Sequence, residues 1–287
     1  MSQHRVSPPR VFPEATHAPR PPAEAAGAAD AFRQARFVLG AELDLVLRGL
    51  EVEGQMARAA AAAKFRNQVV ASVLATWSRS WLCRLQALHA VEWGNYAAAL
   101  PLVRSAVDYQ AVQLLLLRTG ADEWVAWLDE GGVGAAPEQH ATQFRLHPYR
   151  AAEVLAAHEL LGPVYRASMD LSMPHFGATL VVAGGDSNAE RIAVTFGDRD
   201  YHHGFAELVL GWLLDCGVAQ VEAVRNAAGA LPVPDEAAAV RFGRDAKAAV
   251  ARKDRCRVIY VDAAGEQRIL IENWRRQASA APKRLLL

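Results

Sequence analysis

Residues 101–117 read PLVRSAVDYQAVQLLLL, and this stretch decides the fold. It is apolar on nearly every side, whereas a surface helix carries its apolar residues along a single stripe. A helix that is apolar all round is buried among other helices. The stretch therefore predicts a helix in the middle of a bundle, capped at its start by Asn95 and ended by Gly120.

Apolar residues at intervals of three or four predict the helices on either side of this stretch. One such pattern follows Asp30, which we expect to cap its helix, and another contains Trp77 and Trp81, one turn apart. Further helices are predicted near residues 138–160, 163–182 and 201–228. The expected fold class is mainly α, an antiparallel multi-helix bundle of about six to eight helices.

After residue 230 the sequence pattern changes from apolar helices to a linker, a helix and two β-strands. Two prolines mark a linker, Asp235 is placed to cap a helix, and two β-branched runs then flank a turn that contains Gly265. We expect a C-terminal β-hairpin there. It needs to pack on the bundle or pair with another chain, because an isolated hairpin is marginally stable in water.

The predicted organisation has four parts. Residues 1–27 are rich in Pro, Ala and Arg, a composition typical of a disordered tail. The bundle domain is expected over residues 28–230, a helix plus β-hairpin appendage over 231–274, and a basic tail over 275–287.

Composition excludes several classes of protein. The 287 residues contain 31 basic and 31 acidic side chains, so no global field steers the chain onto nucleic acid or an acidic membrane. The best uncharged apolar stretch, residues 171–185, is shorter than the roughly 20 residues of a membrane-spanning helix, and we expect no membrane association. Three widely spaced cysteines without a CxxC pair are typical of a reducing compartment and predict a cytoplasmic protein.

Three residues form the first candidate binding site. Arg104 and Asp108 are four residues apart on the central helix and therefore share one of its faces. His175 lies in an otherwise uncharged segment. The three side chains either form a polar pocket inside the bundle, or serve as structural groups, with an ion pair on the helix and a histidine satisfied in the core.

Arg84 and His89 form the second candidate, a catalytic pair with the spacing Arg-x4-His. In metal-free ribonucleases of the HEPN type, a histidine and an arginine at about this spacing handle the proton of the attacking 2′-hydroxyl and steady the phosphate. The alternative is structural, because the stem of an arginine beside Trp77 and Trp81 would cover apolar surface.

The segment WGNYAAALPLVRSAVD, residues 93–108, resembles a group of bacterial helical proteins considered HEPN-like or related to abortive-infection proteins. The segment that ends at His175 adds to the resemblance, which extends over about residues 65–225. The resemblance implies an all-α bundle in a bacterial cytoplasm. By analogy it also implies a role in defence or in a toxin system, with Arg84 and His89 acting on RNA.

The C-terminal region offers a further contact for RNA. Residues 241–257 contain seven basic side chains against two aspartates, a pattern that would track phosphate or form a solvated helix face. We expect no metal site, because the adjacent His202 and His203 point in different directions on a helix. We also expect no cofactor, because the sequence lacks a P-loop and a dinucleotide-binding glycine motif.

Two classes of function therefore remain open. The first is an interaction bundle that binds a ligand, a protein partner or a second copy of itself, and it predicts an exposed apolar patch or a free sheet edge. The second is a HEPN-like, metal-independent ribonuclease, which uses either Arg84 and His89 or the set of Arg104, Asp108 and His175. It needs these residues in a cleft that solvent can reach.

Overall fold

A computed structural model describes residues 6–7, 9–62, 67–122, 151–174, 176–183, 187, 190–197, 199–227, 231–263 and 265–287. The described residues form a mainly α protein with a small antiparallel sheet at the C-terminal end, which confirms the expected fold class. The helices are α1 (Ala26–Ala62), α2 (Gln68–Glu92), α3 (Tyr96–Thr119), α4 (Ala151–Ala156), α5 (Leu161–Ser172), α6 (Phe176–Ala183), α7 (His203–Asn226) and α8 (Glu236–Val250).

Side-chain caps set the starts of several helices. Asn95 accepts a hydrogen bond from the backbone N–H of Ala98 and Asp235 accepts one from Ala238, which confirms both predicted caps. Asp30 is not a cap, because α1 begins one turn earlier at Ala26; its carboxylate binds the side chain of Gln34 within the helix.

The centre of the bundle is α7 rather than α3. Helix α7 contacts α1, α2, α3, α5 and α8, and nearly all of its side chains are buried. It is as long and as apolar as a membrane span, but 94% of its most apolar window is buried inside the protein, which is the pattern of a core helix. Helix α3 packs on α2, α5 and α7 and leaves one face partly exposed at Pro101, Arg104 and Tyr109.

Two glycines permit close contacts between neighbouring elements. The turn between α2 and α3 contains Gly94 at φ +68°, where a Cβ atom would lie 2.8 Å from the carbonyl oxygen of Asp200. The ring of Phe242 on α8 packs against Gly49 of α1, where a Cβ atom would lie 2.5 Å from it. Glycine therefore allows α8 to reach the bundle core.

The C-terminal sheet has the strand order β1 (Arg257–Ala263), β2 (Glu266–Trp274) and β3 (Lys283–Leu286). The first two strands form the expected hairpin with Gly265 at φ +83°. The third strand lies within the residues predicted to be a basic tail, and it pairs antiparallel with β2. Several interactions join the sheet to the bundle; among them, Ile271 is fully buried and Trp274 packs on Phe205 of α7.

Residues 9–22 form an N-terminal strap that lies across α1 and α2. Ala18 and Pro21 are buried, and three backbone carbonyls accept side-chain hydrogen bonds: Pro19 from Trp93, Thr16 from His89 and Pro13 from Arg58. Over residues 9–22 the structure therefore has specific contacts in a part of the chain for which the sequence predicts a disordered tail. The strap has few apolar side chains, but it supplies partners to polar groups of the helices, and this dependence is invisible in its composition.

Candidate functional site

Arg84 lies inside the bundle, where it forms an ion pair with Glu53 of α1. Both side chains are essentially unexposed, and Nη1 of Arg84 donates to Oε1 of Glu53 at 2.6 Å. The indole N–H of Trp77 donates to the second carboxylate oxygen of Glu53 at 2.9 Å. The guanidinium of Arg84 is therefore occupied by a core carboxylate and does not reach solvent.

His89 lies at a different place, beneath the strap. Its Nε2 atom is 2.7 Å from the carbonyl oxygen of Thr16. Five residues along a helix correspond to a rotation of about 140° beyond a full turn, so Arg84 and His89 leave α2 in different directions. The Arg-x4-His pair is thus divided between the core and the strap.

Arg104 and Asp108 lie on the partly exposed face of α3. Nε of Arg104 is 4.0 Å from Oδ2 of Asp108, and their side chains are 38% and 44% exposed. Partial burial raises the pKa of Asp108, and the charge of Arg104 opposes that shift. His175 lies outside the described residues, so the predicted meeting of the three side chains stays a prediction.

The buried polar groups of α3 are glutamines instead. Gln110 donates to the carbonyl oxygen of Cys216 on α7 at 2.8 Å, and Gln113 is also buried. An uncharged amide can tie two core helices together without the desolvation cost of a charge.

The basic side chains of the C-terminal region are largely engaged within the protein. Arg255 is buried and pairs with Glu42 of α1 at 2.6 Å, and Arg252 pairs with the same carboxylate at 2.9 Å. Arg257 and Arg284 both pair with Glu272 on β2. These arginines attach the C-terminal elements to the bundle and to one another, which leaves less free positive charge to contact phosphate.

A buried polar cluster at the start of α7 also joins this helix to the C-terminal elements. Nδ1 of His203 is 2.9 Å from the hydroxyl of Tyr201, and its Nε2 is 3.4 Å from Oε2 of Glu207. The same carboxylate oxygen accepts the backbone N–H of Cys256. Burial raises the pKa of Glu207, but His203, the Cys256 amide and Arg255 outweigh it, so the pKa is lowered.

His202 and His203 do not chelate a metal together. The ring of His202 packs on Trp274, with 4.3 Å between ring centroids, and burial together with Arg276 lowers its pKa to about 3. Within the described ranges, no three His, Cys, Asp or Glu side chains are grouped as a metal site would require.

An open cleft of about 720 Å³ separates α5 from the sheet. Arg166 lies over the ring of Tyr260, 5.0 Å from its centroid, and the Tyr260 hydroxyl donates to Asp170 at 2.7 Å. Burial and the neighbouring Asp170 raise the pKa of Tyr260. These side chains satisfy one another, so they select no class of ligand.

The feature best suited to recognition is an apolar surface formed by Met173, Phe176, Ile192, Val194 and Phe196. Phe176 is 73% exposed and Phe196 is fully exposed. The backbone N–H of Thr195 donates to the carbonyl oxygen of Ala183 at 2.8 Å, which holds residues 190–197 against the end of α6. Helix α6 is about 12 Å long, so Phe176 at its start lies about one short helix length from the end that Thr195 contacts.

The sequence contained a signal for this surface. Ile192, Val194 and Phe196 alternate with small or polar residues, but they follow a Gly-rich stretch typical of a loop. Periodicity alone does not tell whether such a short apolar piece is buried or exposed.

No protein-family model matches the chain, and no curated protein or solved structure is significantly similar to it.

Proposed function

We propose that this protein is a bacterial cytoplasmic interaction bundle that self-associates through the apolar surface. The observation that carries the proposal is the concentration of five exposed hydrophobic side chains within residues 173–196. Large exposed apolar patches, above roughly a few hundred Å², are uncommon on monomeric proteins and mark sites of association.

A second copy of the chain is the occupant that fits this surface best. The surface is apolar, and two copies related by a twofold axis would pack this same surface of one copy against that of the other. Equal numbers of acidic and basic residues leave no net charge to keep two copies apart. Burial of Phe176 and Phe196 alone would remove two large rings from water, and aromatic rings dominate the energetics of many interfaces.

A reducing compartment is supported by the cysteines. Cys216 and Cys256 are buried as free thiols in the core, and Cys83 is half-buried. Burial raises the pKa of Cys216 to about 12, so its thiol stays protonated and unreactive. The stability of the fold therefore rests on packing and ion pairs, as is usual for cytoplasmic proteins.

Hydrogen–deuterium exchange at two protein concentrations tests the location of the contact. We expect the amides of residues 190–194 to exchange more slowly at the higher concentration, because association would cover them. The control is the backbone amide of Phe37 on α1. Its residue is 90% exposed and lies outside the apolar surface, so its exchange should not depend on protein concentration. Equal exchange of residues 190–194 at both concentrations would contradict the proposal.

A further inference from the structure

A second apolar feature lies elsewhere, between the strap and the two longest helices of the N-terminal half. It is a cavity of about 490 Å³ bounded by residues 6–7 and 9–13, by the last turns of α1 and by the first half of α2. Sites for small molecules usually have volumes of about 300–1,000 Å³. The cavity is therefore large enough for a small ligand.

Small side chains create this space. Ala57, Ala60 and Ala61 line it from α1, and Ala71 and Ala75 line it from α2. Larger side chains at these positions would fill the gap and let the helices and the strap pack directly. The alanine run that favours a helix in the sequence thus also leaves an apolar hollow in the fold.

The two tryptophans of the cavity offer it no free polar group. Trp77 and Trp81 both line it, but their indole N–H groups are used inside the core, by Glu53 and by the carbonyl oxygen of Leu50. A ligand in contact with these two rings meets hydrocarbon only. The interior of the cavity therefore suits an alkyl chain.

The charged groups at the cavity are both arginines. Arg10 lines it from the strap and Arg79 from α2, and no carboxylate does so among the described residues. Nη2 of Arg79 donates to the hydroxyl of Ser78 at 3.2 Å, and within the described part of the chain Arg79 has no acidic partner. An arginine without a carboxylate is free to bind an anionic group of a ligand.

From these features we propose that the cavity binds an anionic amphiphile, a fatty-acid-like carboxylate. Its alkyl chain lies on Trp77 and Trp81 beneath the strap, and its carboxylate lies at the rim near Arg79. The strap is a single segment that bounds one side of the site, and it packs on α1 where Pro13 meets Gly54. This proposal is independent of the proposed self-association, since it involves none of the same residues.

Displacement of the fluorescent fatty acid cis-parinarate from the full-length protein tests the proposal. We expect saturable binding, and we expect dodecanoate to displace the probe more effectively than dodecanol, which lacks the charge. Ala75→Trp should weaken probe binding by more than about tenfold, because the indole occupies the cavity. Absence of saturable binding, or unchanged binding to Ala75→Trp, would overturn the cavity as the site.

Arg79→Ala distinguishes the contribution of the ligand's carboxylate to binding from that of its alkyl chain. Arg79 is exposed, so this variant should fold normally, and dodecanoate should bind about two- to fivefold more weakly, as for one exposed ion pair. Dodecanol binding should not change, and Arg79→Lys should restore part of the loss. Arg118→Ala, at an exposed arginine of α3, is the matched control. An equal effect of Arg79→Ala on the acid and the alcohol would overturn the role of the charge.

Discussion

The Nδ1 atom of His17 lies 2.8 Å from Oε1 of Glu92, and this contact joins the strap to the end of α2. Glu92 is fully buried, and its other carboxylate oxygen accepts the backbone N–H of Ala18 at 2.7 Å. The second ring nitrogen of His17 is 2.9 Å from Asp44 of α1. A buried carboxylate without partners is costly, so the strap is part of the folded structure rather than an addition to it.

We therefore expect His17→Ala to lower the free energy of unfolding by about 1–3 kcal/mol, the cost of an unsatisfied buried acceptor. Urea denaturation measures this loss. Thr16→Ala is the control, because Thr16 is exposed and its bond to His89 among the described residues is made by the backbone carbonyl, which the substitution keeps. A His17→Ala protein as stable as Thr16→Ala would show that the strap is not coupled to the fold.

The buried Glu53–Arg84 pair predicts that a single substitution destabilises the protein more than a double substitution does. Glu53→Leu should destabilise the protein by about 3–5 kcal/mol, because it leaves the buried Arg84 without its partner. The double variant Glu53→Leu/Arg84→Met should recover most of that loss, since two apolar side chains replace the pair. Glu51→Leu, at an exposed position of α1, is the control. Denaturation of all three variants measures the coupling, and a double variant less stable than Glu53→Leu would contradict this account.

Asp215 on α7 predicts a dependence on pH. Burial raises its pKa to about 7, and the charge of Arg255 opposes the shift only in part. The contribution of Asp215 to stability is therefore fully present below its unfolded pKa and is lost as the pH rises through 7.

Asp215→Asn removes this titration. Relative to wild type, the variant should gain about 1–3 kcal/mol in free energy of unfolding between pH 4 and pH 8. Denaturation at several pH values measures the difference. A difference that is independent of pH would mean that Asp215 is ionised at neutral pH in the folded protein.

The burial of Arg84 also leads to a prediction about RNA cleavage. We expect His89→Ala and wild type to behave alike in a cleavage assay with single-stranded RNA and no metal, because Arg84 is sealed against Glu53 and cannot reach a phosphate. His158→Ala provides a matched histidine control. Metal-independent cleavage by wild type that His89→Ala alone abolishes would favour the HEPN-like ribonuclease instead.

Local patterns in the sequence predicted much of the fold. Apolar periodicity predicted the helices, and the capping residues Asn95 and Asp235 predicted the starts of two of them. Gly265 predicted the hairpin turn. These features depend on neighbours within a few residues, which a sequence displays directly. The third strand was not predicted, because its pairing with β2 depends on the register and not on its own short sequence.

The partners of the charged residues could not be predicted in the same way. Glu53 lies 31 residues from Arg84, and Glu42 lies 213 residues from Arg255. Only the packing of α1 against α2 and against the C-terminal elements brings these pairs together. The strap was missed for the same reason, since its role is to satisfy Glu92, a residue 75 positions away from His17.

Sedimentation equilibrium over a dilution series tests the central claim most directly. The wild-type chain should have a mass that approaches twice 31.1 kDa at high concentration and falls towards 31.1 kDa on dilution. The variant Phe176→Ser/Val194→Ser/Phe196→Ser should remain at 31.1 kDa throughout, and Phe37→Ser should behave as wild type. A wild-type mass of 31.1 kDa at every concentration, or association of the triple variant equal to that of wild type, would contradict self-association through the apolar surface.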